Sequence, residues 1–217
     1  MKYSALDRRR MTASLGALAS FALLSSCSLL ASRPATPLHT YALDNAATGA
    51  APASPSGNNR LVLLVDMPRA MPGCNSNHMV YIRNPMQPQS YANSVWMDTP
   101  ANMLAPLLQT RLAQSGDFRA VLLSPSAAKA DLRLDSTIIS LRQNFLNQPS
   151  TVQFRLQLTL LDNASREVLA VHVLEVDAPA PSEDAAGGAL AANAAVQQGL
   201  DQTAAFVRAA LVALTRY

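Results

Sequence analysis

Residues 151–176 read TVQFRLQLTLLDNASREVLAVHVLEV and contain the clearest β-strand pattern in the chain. In the first half, apolar side chains occupy every second position from Val152 to Leu160, and polar side chains occupy the positions between them. A strand with this alternation buries one face and exposes the other. The turn residues at 162–165 precede a second strand pattern over 167–176, so the two strands are predicted to form an antiparallel hairpin.

Shorter segments before this hairpin also show strand patterns. They predict five more strands, at residues 39–43, 60–67, 78–83, 118–123 and 130–142. The segment at 60–67 is almost wholly apolar, which predicts a central strand that is covered on both faces. Residues 45–59 are rich in Ala, Pro, Ser and Gly without any apolar periodicity, so they are predicted to form a surface loop.

Two segments change to the helical period. The first begins at Thr99 and Pro100, a pair typical of an N-cap followed by proline at the first helical position, and it ends near Gly116. Pro106 lies inside this segment and predicts either a kink or a later start of the helix. The second helix is predicted to follow Ser182 as its N-cap. Its apolar stripe comprises Val196, Leu200, Ala204, Val207, Leu211 and Leu214.

The order of these elements predicts the fold class. Strands come in runs, with only two helices between or after them, which is typical of α+β proteins. We therefore expect a single α+β domain, in which an antiparallel or mixed β-sheet has both main helices packed on one face.

The N-terminus has the pattern of an export signal. Lys2 and Arg8 to Arg10 precede an apolar run over 11–26, which is shorter than the roughly 20 residues that a membrane-spanning helix requires. The run ends in Leu24-Ser25-Ser26-Cys27, which resembles the bacterial lipobox. Residues 1–26 are therefore predicted to be a lipoprotein signal peptide, cleaved between Ser26 and Cys27. An internal cysteine of a soluble protein is the alternative interpretation.

Cys27 is the predicted lipidation site, at the start of a tether over 27–37 that leads into a domain over 38–217. A diacylglycerol and an N-acyl chain on Cys27 are the only attached groups that we expect, and no other cofactor is predicted. One acyl chain binds a membrane only marginally, at about 0.8 kcal/mol per buried methylene, so a lasting anchor requires two or three chains. By resemblance to enterobacterial sorting, where Asp in this place retains lipoproteins in the inner membrane, Ser28 favours the periplasmic face of the outer membrane. The pair Arg8-Arg9 leaves both general secretion and twin-arginine export open.

Removal of the leader makes the chain formally neutral. Four of the 17 Lys and Arg residues and one of the 14 Asp and Glu residues precede Cys27, which leaves 13 of each. No basic cluster remains that would predict a nucleic-acid surface. Cys74 has no disulfide partner within the mature chain; it is interpreted as a free or partly buried thiol, with pairing between subunits of a homo-oligomer as the alternative.

Motifs of catalysis and metal binding are not found in the sequence. His39, His78 and His172 are too far apart for a metal-ligand motif, and neither a Gly-rich phosphate loop nor a Gly-x-Ser-x-Gly turn is present. His172 alternates with apolar neighbours in a strand and is interpreted as a structural residue. An enzyme is therefore not predicted.

Three residues are candidates for either structural or partner contacts. Trp96 precedes the first helix and follows Tyr91 by five residues, so the pair is interpreted as part of the core where the helix begins, with a contact to lipid or to a partner as the alternative. Arg83 ends an apolar strand. It is expected to pair with a nearby carboxylate, and a functional contact is the alternative.

The order of these features resembles the ABC-type transport auxiliary lipoproteins. The resemblance covers roughly residues 38–215 and depends on the whole pattern rather than on one motif. It comprises Tyr41-x-Leu43, strands at 61–65 and 80–83, Tyr91, Trp96, a Leu-rich helix, a short strand at 118–122, a meander and an Ala-rich C-terminal helix.

This resemblance implies a function in transport. Such lipoproteins work with an inner-membrane ABC permease and ATPase and with an MCE-type substrate-binding protein, which move phospholipids, sterols or related solvents across the envelope. The implied role is protein binding, for which exposed loops and strand ends are the expected contacts. A generic outer-membrane adaptor, such as a pilotin or assembly factor, and a periplasmic enzyme without a recognisable motif are the alternatives.

Overall fold

The structure, a computed structural model, describes residues 36–44 and 60–214. The predicted signal peptide, the cleavage site at Ser26 and Cys27, and the predicted surface loop at 45–59 lie outside the described residues. Within the described ranges there are nine strands and two helices. The strands are β1 (His39–Tyr41), β2 (Val62–Val65), β3 (Arg69–Ala70), β4 (His78–Asn84), β5 (Gln87–Trp96), β6 (Ala120–Leu123), β7 (Leu132–Asn144), β8 (Thr151–Asp162) and β9 (Val168–Pro179). The helices are α1 (Pro100–Gln114) and α2 (Ala185–Leu214).

The sheet is organised around β7. Along one side β7 pairs with β8 in antiparallel register over its whole length, and β8 pairs with β9 in the same way. Along its other side it pairs in turn with β2, β3 and β4, each of them parallel to it. The result is one mixed sheet, and the predicted antiparallel hairpin over 151–176 is confirmed as β8 and β9.

The apolar segment at 60–67 forms β2, which lies between two parallel neighbours. It pairs with β6 on one side and with β7 on the other, and the side chains of Leu63 and Val65 are completely buried. The prediction of an internal strand is confirmed, and on the face opposite to Leu63 and Val65 the side chain of Val62 is buried and that of Leu64 is half-buried. Parallel pairing explains the pattern, because such strands are usually buried on both faces.

Strand β5 was not predicted from the sequence. It pairs with β4 in a hairpin that has irregular register, and on its other side it pairs with the three-residue β1. Most of its side chains are exposed on both faces, and its first half contains Pro88 and several polar residues. Only Ser94 and Trp96 at its end are buried, so the strand shows no apolar alternation to recognise.

Helix α1 begins where the sequence predicts. Thr99 is the N-cap, and its side chain accepts a hydrogen bond from the Asn102 N–H, while Pro100 occupies the first turn. Pro106 lies inside the helix, so the alternative of a later start is wrong. The buried side chains of Leu104, Ala105, Leu107, Leu108 and Leu112 hold the helix against the sheet and stabilise it despite the hydrogen bond that the proline cannot make.

Helix α2 is capped by a different residue from the one predicted. Asp184, not Ser182, accepts the Gly187 N–H at 2.8 Å, and the Ser182 hydroxyl donates to the same carboxylate at 2.7 Å. A carboxylate at this position satisfies a free helix N–H and interacts favourably with the helix dipole. The hydrogen bonds from the Gly187 N–H and from the Ser182 hydroxyl hold the pKa of Asp184 below its usual value, and the first is the larger cause.

The core lies between the sheet and the two helices, which contact each other and pack on the same face. From β8 it receives every second side chain, from Val152 to Leu160, as the sequence predicts. Gly199 of α2 lies directly over the ring of Phe154, so helix and sheet approach closely there. The α+β class, the mixed sheet and the two packed helices are confirmed.

Candidate functional site

Tyr91, one of the three predicted contact residues, belongs to an aromatic cluster at one end of the sheet. The cluster consists of Tyr81 on β4, Tyr91 on β5 and Phe145 after β7. The Tyr81 ring lies 4.7 Å from the Tyr91 ring and 5.9 Å from the Phe145 ring, measured between centroids. Such offset and edge-to-face arrangements stabilise aromatic pairs beyond the effect of burial.

Arg83 covers this aromatic cluster. Its guanidinium carbon lies 4.6 Å from the centroid of the Phe145 ring and 5.6 Å from that of Tyr81. Arg83 was expected to pair with a carboxylate. Among the described residues, it makes cation–π contacts with these two rings instead. The difference arises because β4 ends beside the end of β7, which brings Phe145 under the side chain of Arg83.

Tyr91 also belongs to a polar network that sequence reasoning missed. Its hydroxyl donates to Gln143 Oε1 at 2.8 Å, and Gln143 Nε2 donates to Ser150 Oγ at 2.9 Å. The Ser150 N–H in turn donates to Glu183 at 2.9 Å. Burial raises the pKa of Tyr91 to about 12, so the hydroxyl is protonated at neutral pH. The network thus joins β5 and the end of β7 to the residues just before β8 and just before α2.

Trp96 is a core residue. Only 4% of its surface is exposed, and its backbone N–H donates to the Asn77 carbonyl at 2.8 Å. The interpretation of Trp96 as part of the core is confirmed for this side chain. A role of Arg83, Tyr91 or Trp96 in binding a partner stays a prediction.

A surface cleft of about 370 Å³ adjoins Tyr91, and it places His39, Ser94 and Asp184 around one opening. His39 and Ser94 are register partners on β1 and β5. Asp184, however, accepts hydrogen bonds from Gly187 and Ser182 in the helix cap. The three side chains therefore do not form the hydrogen-bonded chain of a nucleophile, a base and an orienting acid.

His172 and Cys74 both lie against other parts of the domain. His172 stacks on Phe206 of α2 with 5.3 Å between centroids. Cys74 is a free, half-buried thiol, and burial raises its pKa. In residues 36–44 and 60–214, no group of three or more His, Cys, Asp or Glu side chains could hold a metal ion. Over the same ranges, no helix combines the length and the apolar character needed to cross a membrane.

The outer edge of β9 is the longest free strand edge in the described part of the chain. Its twelve residues pair with β8 and with no other described strand. Val171 and Val173 are exposed on the face that turns away from α2. Towards the end of the strand, Glu175 and Asp177 are both held by Arg155 of β8. The edge is thus charged at one end and apolar at the other.

Taken together, these features define an α+β domain with a free strand edge at β9, and its described residues contain no group of side chains that could hold a metal ion. Residues 41–205 match the family model described as ABC-type transport auxiliary lipoprotein component. The chain therefore belongs to this family of transport auxiliary lipoproteins, which is not a family of enzymes, and the resemblance noted in the sequence is confirmed.

Solved structures support the fold. Protein XCC0632 from Xanthomonas campestris superposes with a TM-score of 0.69 at 18% identity, over 84% of this chain and 100% of that one. An uncharacterized protein superposes with a TM-score of 0.63 at 12% identity, over 79% of this chain and 99% of that one. At these identities the likeness establishes the fold alone. No similar protein was found among the curated proteins.

Proposed function

We propose that this lipoprotein is anchored to the periplasmic face of the outer membrane and serves a lipid-transport system of the MCE and ABC type. Its role is to bind the MCE-type protein that works with an inner-membrane permease and ATPase. The observation that carries this proposal is the family match over residues 41–205, which identifies an auxiliary component of ABC-type transport. The transported class would be phospholipids, sterols or related solvents.

The edge of β9 is the surface that we assign to the protein partner. A free strand edge presents unpaired N–H and C=O groups, and natural proteins usually block such edges with charge or cover them. Here Glu175 and Asp177 protect only one end. The exposed valines at 171 and 173 leave the other end open to an added strand, whose main-chain hydrogen bonds would provide affinity.

Site-specific photocrosslinking in intact cells tests this assignment. A photoreactive residue in place of Val173 should capture an MCE-family protein encoded near this gene. Leu190, which is an exposed apolar residue on α2, provides the matched control position. Capture from Val173 and not from Leu190 would support strand addition at β9.

Other results of the crosslinking experiment would support other functions. Capture of a secretion or pilus component would replace the transport proposal by the adaptor alternative. Crosslinks only between copies of this chain would assign the edge to a homo-oligomer. Deletion of the gene should raise sensitivity to detergents and organic solvents if the transport proposal is correct, and unchanged sensitivity would count against it.

The membrane assignment has its own test. Density fractionation should place the wild-type protein with outer-membrane porins, whereas Ser28→Asp should move it towards inner-membrane markers. Recovery of the wild type only with inner-membrane markers would refute the outer-membrane assignment.

A further inference from the structure

The pairing of β1 shows from which end of the sheet the described chain enters the fold. β1 runs parallel to β5, and His39 pairs with Ser94. The chain before β1 therefore comes from the end at which β5 starts, where the turn of the β4–β5 hairpin lies. Along β4, the distance from His78 to Asn84 covers six residues, or about 20 Å at 3.3 Å per residue. The hairpin thus projects about 20 Å beyond the start of β1.

This end of the sheet has an exposed apolar surface, which we call the tip surface and define as Arg83, Met86, Phe145 and Leu146. Met86 is 97% exposed at the hairpin turn, and Leu146 is 45% exposed in the neighbouring loop. The two loops lie side by side because the Phe145 N–H donates to the Ile82 carbonyl at 2.9 Å. Arg83 lies over the Phe145 ring between them.

The composition of the tip surface fits a lipid headgroup region. Residues 78–97 and 145–150 contain no Asp or Glu, and Arg83 is their one Lys or Arg residue. Apolar side chains beside an aromatic ring and an arginine are typical of the membrane interface, where the stem of the arginine lies along apolar groups and its charge stays in water. The nearby carboxylates of Glu183 and Asp184 are exposed, but each accepts a hydrogen bond from a backbone N–H group.

The length of the tether decides whether this surface can reach the bilayer. Eleven residues, 27–37, separate the domain from the start of the mature chain at the predicted anchor, and fully extended they span about 38 Å. The hairpin turn lies about 20 Å beyond the start of β1, which is within this maximum span. The tether is therefore long enough for the tip surface to reach the bilayer that holds Cys27.

We propose that the tip surface rests on the phospholipid surface that holds Cys27, with Met86 and Leu146 in the headgroup region and Arg83 near lipid phosphates. This inference rests on the proposed lipid anchor. A domain supported at the anchor and at the tip would have a fixed orientation, which would hold the β9 edge in a constant direction for its partner.

Tryptophan fluorescence of the full-length lipoprotein tests this contact. The protein is reconstituted into vesicles of phosphatidylethanolamine and phosphatidylglycerol, with or without brominated acyl chains. Met86→Trp is compared with Met97→Trp, because Met97 is 69% exposed and directly follows the other end of β5. The buried Trp96 contributes the same background to both variants.

The expected result is a blue shift and a loss of emission with brominated lipid for Met86→Trp, and neither for Met97→Trp. Equal emission of both variants, in a protein that floats with the vesicles, would overturn the tip contact and leave the anchor intact. A protein that does not float would overturn the anchor and the inference together. A photoreactive residue at position 86 that captures a protein in cells, without quenching in vesicles, would assign the tip to a partner instead.

Discussion

Replacement of Gly199 by alanine tests how closely α2 packs on the sheet. A Cβ atom at this position would lie 2.6 Å from Phe154 Cε1, 3.0 Å from Phe154 Cδ1 and 3.4 Å from Leu174 Cδ1. Ordinary carbon–carbon contacts are about 3.5–4.0 Å, so the added methyl group would overlap the ring by roughly 1 Å. Phe154 and Leu174 are both buried, which leaves them little room to move.

Two effects of opposite sign determine the change in stability. Alanine is favoured over glycine inside a helix by about 1 kcal/mol. Overpacking of a well-packed core costs about 1–3 kcal/mol. We expect the second effect to be the larger, so that Gly199→Ala lowers the free energy of unfolding by about 1 kcal/mol.

Urea denaturation followed by circular dichroism measures this change, with Cys27→Ala present in every variant to prevent lipidation. The midpoint should fall while the m-value stays constant. Ala194→Gly, at an exposed position of the same helix, calibrates the effect of helix propensity alone. Combining Gly199→Ala with Phe154→Leu should show a favourable coupling energy, because the smaller side chain makes room. Stabilisation by Gly199→Ala alone would refute the close approach of helix and sheet.

Three further predictions concern titratable and modified groups. The pKa of Tyr91 is raised to about 12, so the unfolded chain releases its proton first, near pH 10, and stability should fall as the pH rises from about 10 through about 12. Tyr91→Phe should flatten this part of a stability profile, and an unchanged slope would contradict the burial of the hydroxyl. Burial raises the pKa of Cys74, so iodoacetamide should label it slowly at pH 8 until urea is added; equal rates would show an open thiol. Labelled palmitate should be incorporated into the wild type and lost in Cys27→Ala, with accumulation of the precursor, and equal labelling would refute lipidation.

The sequence predicts best the elements that have one buried face. The alternation in 151–161 and the cap at Thr99 each depend on local chemistry, and both are found where expected. Strand β5 was missed because most of its residues before Ser94 are exposed, so that it shows no apolar alternation. The cap of α2 was assigned two residues too early, because Ser182 and Asp184 are both good caps and only the path of the chain after β9 selects between them.

For the candidate contact residues, the sequence predicts which side chains matter but not which residues they contact. That Arg83, Tyr91 and Trp96 matter to the structure is predicted from residue type, since aromatic and arginine side chains rarely lack a packing role. Their partners are not predictable, because Phe145 and Gln143 are more than 50 residues away from Tyr91 along the chain. The side-by-side ends of β4 and β7 bring them together.

By itself, the amino-acid pattern determined the fold class, the family resemblance and the predicted anchor at Cys27, because periodicity, capping and the leader are local properties of consecutive residues. Only the tertiary structure decided which edge of the sheet is free and that Met86 and Leu146 share one exposed surface. Strand order, and which loops lie side by side, depend on pairing between residues far apart in the chain. That pairing is decided by how the whole chain buries its apolar faces, which no local pattern shows.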